Sequence, residues 1–344
     1  MQSWVSHLYG TDIRSFVARW ARRSEPIATP VVPSLIVGDR AAATYAAHPY
    51  WSKKPHELLH ACLAAFTRPG DVVLDPFAGS GGLPLLAARR GRAAIAIDRS
   101  PAAAFIIDGI SRIPRGTDVR ASVEEVVLST HVEEMFRTCC HRCGGRARTL
   151  YAVWQDVVMC RMCGAETATG SHCGCATEAD GWIVGSRIQQ IDAACLAGCR
   201  PARFRRDARS LDAAAHWWQS SDIPSALRHR GDPPGAPRRL FPAGVKTGEI
   251  FKRGIQRVDQ MYTPRNLRAM AAVRSAIDGN PTDERAAPRL AWHAALLGTS
   301  LKAQHVRGGG GDLPGMYYVP RVRKERNPAV TLNRVAGRLA AAAA

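Results

Sequence analysis

The run Asp71-Val72-Val73-Leu74-Asp75-Pro76-Phe77-Ala78-Gly79-Ser80-Gly81-Gly82 leads directly into Leu83–Arg90, and Gly91 separates it from Ala93-Ala94-Ile95-Ala96-Ile97-Asp98. Short continuous apolar stretches bounded by glycine and aspartate read as buried strands, and the segment between them reads as a helix. Strand, helix, strand at this spacing is the βαβ unit of a parallel sheet. Another helix is expected from Ser100-Pro101, with the serine as cap and the proline at the first helical position.

Glycines between a strand and a helix let a ligand approach the backbone, and the helix start offers unpaired N–H groups. Asp98 ends the second strand 23 residues after Asp75. A carboxylate there is placed to accept hydrogen bonds from two ribose hydroxyls. The turn has neither the Gly-Lys-Ser/Thr of a phosphate loop nor a G-x-G-x-x-G pattern. A ligand with a ribose and no phosphate fits better, and S-adenosylmethionine is one.

Upstream, Lys54–Thr67 carries an apolar face of Leu58, Leu59, Cys62, Leu63 and Phe66, with Pro55 in the first helical turn. Asp75-Pro76-Phe77-Ala78-Gly79-Ser80-Gly81 resembles the cofactor motif of the amino-methylating DNA methyltransferases, which modify adenine N6 or cytosine N4. His48-Pro49-Tyr50-Trp51-Ser52-Lys53-Lys54-Pro55-His56-Glu57-Leu58 and Pro69-Gly70-Asp71 resemble the segments preceding that motif. The close likeness spans about residues 45–105. It implies a Rossmann-like α/β methyltransferase sheet, with S-adenosylmethionine held by Asp75, Pro76, Phe77, Gly79, Gly81 and Asp98, and also Tyr50 and Pro55. In the family the first acidic residue approaches the methionine end of the cofactor, and the residue matching Asp98 binds the ribose. Tyr262-Thr263-Pro264-Arg265-Asn266-Leu267 and Tyr317-Tyr318-Val319-Pro320 are similar to segments of larger DNA methylases that carry a cysteine-rich insert.

Nine of the ten cysteines fall between Cys139 and Cys199. In a chain with no recognisable secretion signal, expected to work in the cytoplasm, such clustering suggests metal before disulfides. Cys140-x2-Cys143 and Cys160-x2-Cys163 supply four thiolates at the spacing of a structural Zn²⁺ site. Cys139 is an alternative ligand to Cys140. His172, Cys173, Cys175, Cys195 and Cys199 form a second, irregular group, either a further site or an unoccupied remnant.

The 344 residues carry a net charge of +18. Residues 200–274 hold 16 Lys/Arg against 6 Asp/Glu, and residues 302–338 hold 8 against 2. Such clustering favours a polyanionic partner, a nucleic acid, over a merely solvated arginine surface, and the resemblance implies that it is DNA. No run approaches ~18 consecutive apolar residues, so no membrane span is expected. The expected order is a helical lead-in over 1–45, a cofactor-binding core over 46–135, a zinc-binding insert over 136–200, and a basic, DNA-contacting, helical region over 201–344.

Transfer to an exocyclic amine requires the base to be flipped out and held by hydrogen-bond acceptors and a stacking aromatic. The family supplies these with an Asp/Asn/Ser-Pro-Pro-aromatic tetrapeptide after a buried strand. Here Asp232-Pro233-Pro234-Gly235 lacks the aromatic and follows no apolar strand, so it reads as a proline-rich turn. No catalytic residue is assigned. The expectation is a DNA methyltransferase, or its cofactor-binding component with a second chain supplying the missing motif. A non-catalytic DNA-binding scaffold on a degenerate methyltransferase fold is the alternative, and an RNA-methylating enzyme a third reading.

Overall fold

The computed structural model describes residues 31–39, 43–114, 116–160, 163, 165–167, 182–207, 233, 235–281, 284–306, 311–312 and 317–343, with Ser15 and Ala18. In chain order the main elements are α1 (His56–Phe66), β1 (Val72–Asp75), α2 (Gly82–Arg89), β2 (Ala93–Ala96), α3 (Pro101–Ser111), α4 (Val119–Ser129), β3 (Arg137–Cys139), β4 (Arg146–Cys160), β5 (Glu166–Thr167), β6 (Trp182–Cys195), β7 (Arg203–Asp207), α5 (Pro264–Gly279), α6 (Ala286–Thr299), β8 (Val322–Arg326) and α7 (Pro328–Ala343). The chain divides into two compact units. The first comprises 1–124, 277–294 and 333–344, and the second 125–276 and 295–332. The expected core segment 46–135 thus falls mostly in the first unit and the cysteine-rich segment in the second. The basic region 201–344 is shared between them.

In the first unit β1 and β2 pair in parallel, Val72 opposite Ala93 through Asp75 opposite Ala96, with α2 as the crossover. Val73 and Ala94 form one face and pack against Leu63, Leu83, Leu86 and Ala87 of α1 and α2. Val72, Ala93 and Ile95 cluster separately. Leu74 remains 54% exposed. The βαβ unit is therefore present as read. Among the described residues the parallel sheet stops at two strands, short of the Rossmann-like sheet the resemblance implies. The caps also differ in detail. Ser100 precedes α3 and Pro101 opens it, but the serine side chain makes no cap bond. Asp98 Oδ1 instead accepts the Ser100 N–H at 2.8 Å.

Among the described residues the second unit is built on an antiparallel sheet of six strands, in the order β3-β4-β6-β7, with β5 and β8 also on β4. Its spine is the β4–β6 hairpin, which runs from Ala147 opposite Cys195 to Cys160 opposite Trp182 with two register shifts. Ala147, Ala152, Ile191 and Ala193 are buried beneath Trp154 and Ile188. Glu325 of β8 is buried too, and its carboxylate is engaged by side-chain donors. Arg265 Nε at 2.9 Å, Thr263 Oγ1 at 2.6 Å and Trp154 Nε1 at 2.8 Å donate to its carboxylate, as does Arg265 Nη2. The Arg265 guanidinium lies over the Phe136 ring at 4.4 Å. Burial alone would raise the Glu325 carboxyl pKa, but Arg265 and the hydrogen bonds prevail and hold it below the ordinary value. Asn327 then caps α7, its Oδ1 accepting the Ala329 N–H at 2.9 Å while its Nδ2 donates to the Thr149 carbonyl at 3.0 Å.

Candidate functional site

The glycine turn sits at the carboxyl ends of β1 and β2, where ligands bind in open α/β sheets. Two backbone bonds lash it to the second strand: Ala78 N–H to Ile97 O and Ile97 N–H to Asp75 O, each 2.9 Å. The Gly79 N–H donates to Asp98 Oδ2 at 2.8 Å. Asp98 therefore accepts one backbone N–H on each oxygen, from Gly79 and from Ser100. A carboxylate oxygen has two lone pairs, so each keeps one for a further donor. Asp75 Oδ1 accepts the Phe77 N–H at 3.1 Å, which bends the chain out of β1.

The glycines are required by shape. Gly81 has φ +82° and directly precedes α2, and a Cβ there would meet Ile107 Cγ1 at 2.7 Å. Gly79 has φ +53°, and a Cβ there would lie 3.1 Å from the Tyr50 ring. Tyr50 thus lies against the turn. Pro55 is set further back, its ring against the backbone of Gly38, where a Cβ would come within 2.3 Å of Pro55 Cβ. Pro76 is exposed beside Phe77, whose ring is 87% exposed. With Leu74 at 54% and Ile97 at 47%, Phe77 forms an apolar rim at the strand ends.

Behind the turn lies a cavity of ≈ 50 Å³, lined by His48, Lys53, His56, Ser80, Arg89 and Ile106 among others. Pockets for nucleoside-sized ligands run to ~300 Å³ or more, so this cavity cannot enclose one. Outside that cavity, Phe77, Asp98 and Tyr50 form an open shelf at the turn. The buried groups behind it are kept neutral or easily neutralised. Burial pushes Lys53 down to about 8. His48 is pushed down to about 4 by burial, with His293 adding to the effect. His48 Nδ1 lies 2.9 Å from the Pro49 carbonyl, so it carries the proton. Its Nε2 then accepts from His293 Nδ1 at 3.0 Å.

The cysteines arrange differently from their sequence spacing. Cys140, Cys143, Cys195 and Cys199 come together, their sulfurs all within 4.8 Å of one another. The expectation that Cys140 and Cys143 share an ion with Cys160 and Cys163 is corrected. Ala147 pairs with Cys195 at one end of the hairpin and Cys160 with Trp182 at the other. The thirteen steps along β4 from 147 to 160 span roughly 40 Å at ~3.3 Å per residue. Spacing within each knuckle was legible, but which knuckles meet depends on where the hairpin turns. Among the remaining cysteines, Cys173 and Cys175 lie outside the described residues, as does His172. Cys139 is exposed and outside the four. The backbone N–H groups of Cys143 and Arg142 hold the Cys140 thiol down to about 6, while the sulfurs of Cys143 and Cys195 push Cys199 up to about 12.

One face of the second unit's sheet is basic. Across it Arg326, Tyr151, Asp192 and Arg205 stand opposite one another in register. Lys324 Nζ lies 5.0 Å from the Tyr151 ring centroid. Arg203 approaches Asp192 at 3.4 Å with most of its side chain in solvent. Arg203 and Arg205 belong to the basic stretch 200–274 that stood out in the sequence, whereas Tyr151 and Lys324 did not, because strand register alone brings them together. The part of that basic stretch from 208 to 232 lies outside the described residues. Of the rejected Asp232-Pro233-Pro234-Gly235 tetrapeptide, Pro233 and Gly235 are described, and the Ala236 N–H closes a turn on the Pro233 carbonyl at 3.1 Å.

Residues 22–107 match the family model for DNA methylases of the N6/N4 type. The match covers about a quarter of the chain and takes in α1, β1, the glycine turn, β2 and Asp98. It supports a DNA methyltransferase at the level of family, and S-adenosylmethionine is the cofactor such methylases generally use. No solved structure matches the chain. Among the described residues, no helix is long and apolar enough to cross a membrane.

Proposed function

We propose that the chain is an S-adenosylmethionine-dependent DNA amino-methyltransferase, or the cofactor-binding component of a split one, acting on adenine N6 or cytosine N4. The observation that carries this reading is the bond from the Gly79 N–H to Asp98 at 2.8 Å, which fixes the glycine turn against the residue expected to meet the ribose. When bound, S-adenosylmethionine supplies a methyl group made electrophilic by its sulfonium. Asp98 accepts the two ribose hydroxyls with its free lone pairs. Phe77 stacks on an apolar face of the cofactor, and Tyr50 closes over the turn. Gly79, Gly81 and Pro76 keep the backbone within reach, Asp75 faces the methionine end, and Pro55 anchors the segment that carries Tyr50.

A second chain supplying the base-binding motif fits two features. The parallel sheet has two strands among the described residues, and an isolated strand pair is rarely stable alone. The shelf is also open, with Phe77 87% exposed. DNA is expected on the basic sheet face, where Arg203, Arg205 and Lys324 meet phosphates and Tyr151 adds an aromatic. Replacing Arg203 and Arg205 together by glutamate is expected to weaken duplex binding and to lower the slope of log K against log salt by ~2, at ~0.9 per phosphate contact. An unchanged slope would remove this face from the DNA interface.

The test is transfer of labelled methyl from S-adenosylmethionine to unmethylated duplex DNA by the chain alone, with cofactor binding measured in parallel. Transfer supports a complete enzyme, and binding without transfer supports the split one. DNA binding with no cofactor binding would favour the alternative, a non-catalytic scaffold, which the missing Pro-Pro-aromatic motif independently suggests.

A further inference from the structure

We propose that Cys140, Cys143, Cys195 and Cys199 form a tetrathiolate site for a structural Zn²⁺ that fastens the open end of the β4–β6 hairpin. The geometry is that of a metal site before the metal. Cys140 Sγ lies 3.8 Å from Cys199 Sγ, and Cys143 Sγ lies 3.8 Å from Cys195 Sγ. A disulfide needs ~2.05 Å, and these cysteines are all unpaired thiols. A Zn–S bond is ~2.3 Å, and the edge of a tetrahedron with that radius is ~3.8 Å. Both of these separations equal that edge.

The backbone is shaped to present the sulfurs. On one side the Cys140 N–H bonds Gly145 O at 2.8 Å and the Gly144 N–H bonds Cys140 O at 2.9 Å, with Gly144 at φ +67°. On the other, Gly198 at φ +86° precedes Cys199, and the Ala197 N–H points at Cys195 Sγ at 3.3 Å. An N–H donated to a ligating sulfur stabilises thiolate charge, the usual outer support of such a site. Four thiolates around Zn²⁺ carry a net charge of −2, and Arg142, Arg146 and Arg200 flank the two turns in the sequence. Thiolates select a soft ion over Mg²⁺ or Ca²⁺. Four protein ligands leave no open position for chemistry, so the role is structural.

The site joins distant parts of the chain. Cys195 closes β6, its N–H bonded to Ala202 O at 2.7 Å. Cys199 lies four residues before β7, which begins at Arg203. Loading the ion would therefore set where the arginine-bearing edge strand starts, whatever that strand binds. The inference does not depend on methyl transfer.

The test is elemental analysis of the full purified chain, with Co²⁺ exchanged for the native ion as a spectroscopic probe. Wild type is expected to carry at least one Zn²⁺ per chain, and the double variant Cys195→Ser/Cys199→Ser one equivalent fewer. The Cys160→Ser/Cys163→Ser variant is expected to keep this ion and the intense sulfur-to-cobalt absorption of a four-thiolate site. Because a serine variant can fail to fold, Cys199→His is the second arm. It should retain the ion with the cobalt spectrum shifted to that of three sulfurs and one nitrogen. A metal-free folded wild type would overturn the proposal. So would full metal content in Cys195→Ser/Cys199→Ser, a metal-free Cys160→Ser/Cys163→Ser chain, or an unshifted spectrum in Cys199→His.

Discussion

Asp98 in the first unit is half-buried and accepts two backbone N–H groups, leaving lone pairs toward solvent. Glu325 in the second is buried and accepts from Arg265, Thr263 and Trp154 side chains. The first carboxylate has bonding capacity to spare, and the second has spent its capacity within the fold. The same contrast holds for the sheets around them. Two parallel strands with exposed Leu74 and Phe77 stand in one unit, and six antiparallel strands around a buried ion pair in the other. Spare hydrogen-bonding capacity next to exposed apolar surface suits ligand binding, whereas a saturated buried network gives stability and a single register.

The largest test of that contrast is Glu325→Gln. It leaves the Arg265 guanidinium, 7% exposed, without its counter-charge. Losing one partner of a buried pair costs about 3–5 kcal/mol, so the urea midpoint of the second unit is expected to fall steeply. A small change would mean that water reaches Arg265 and that the network is not closed.

The next effect is a pH dependence centred on His48 in the first unit. The His48 pKa in the folded protein is about 4, below the ~6.5 of an unfolded histidine. Between those values the unfolded chain binds more protons, so stability rises with pH through the window and falls as pH drops from ~6.5 to ~4. At ~1.4 kcal/mol per unit the full loss is roughly 3 kcal/mol, and His56 and His293, also lowered, act with the same sign. His48→Gln should flatten the profile in that window while leaving the second unit's hydrogen-exchange protection unchanged. A profile as steep as wild type would exclude His48 as its source.

The βαβ unit, the glycine turn and the role of Pro101 were legible because each depends on residues within a few positions of one another. Register was not. Glu325 reads in isolation as one charge in Arg321-Val322-Arg323-Lys324-Glu325-Arg326, and only the pairing of β8 with β4 brings it to Trp154. The cysteines show the same limit. Cys140-x2-Cys143 is a local pattern, whereas its partners Cys195 and Cys199 are set by a hairpin whose turn position the spacing does not encode. Arg203 and Arg205 stood out as charge, but Tyr151 and Lys324 join them only across strands.

Asp98→Asn separates stability from binding. The amide keeps one acceptor oxygen, so one of the two backbone N–H groups loses its partner, at about 1–3 kcal/mol. Cofactor affinity is expected to fall by at least an order of magnitude, because an amide nitrogen cannot accept from a ribose hydroxyl. Isothermal titration with S-adenosylmethionine reads the second effect and thermal unfolding the first. Unchanged affinity would displace the ribose from Asp98.

The smallest expected stability effect is at Phe77, and it sharpens the contrast most. A ring 87% exposed contributes little by burial, so Phe77→Ala should shift the stability of the first unit by less than ~0.5 kcal/mol, as at an ordinary surface position. A stacked ring on a bound cofactor is worth ~1 kcal/mol or more, so affinity should fall roughly fivefold to tenfold. Phe77→Tyr should restore it, since the π face is kept. If Phe77→Ala destabilises the unit by more than 1 kcal/mol, the ring is packed in solution against something that covers the shelf. If affinity is unmoved while stability is also unmoved, the apolar rim serves a macromolecular contact instead, and a partner that binds there should protect Phe77 and Leu74 together.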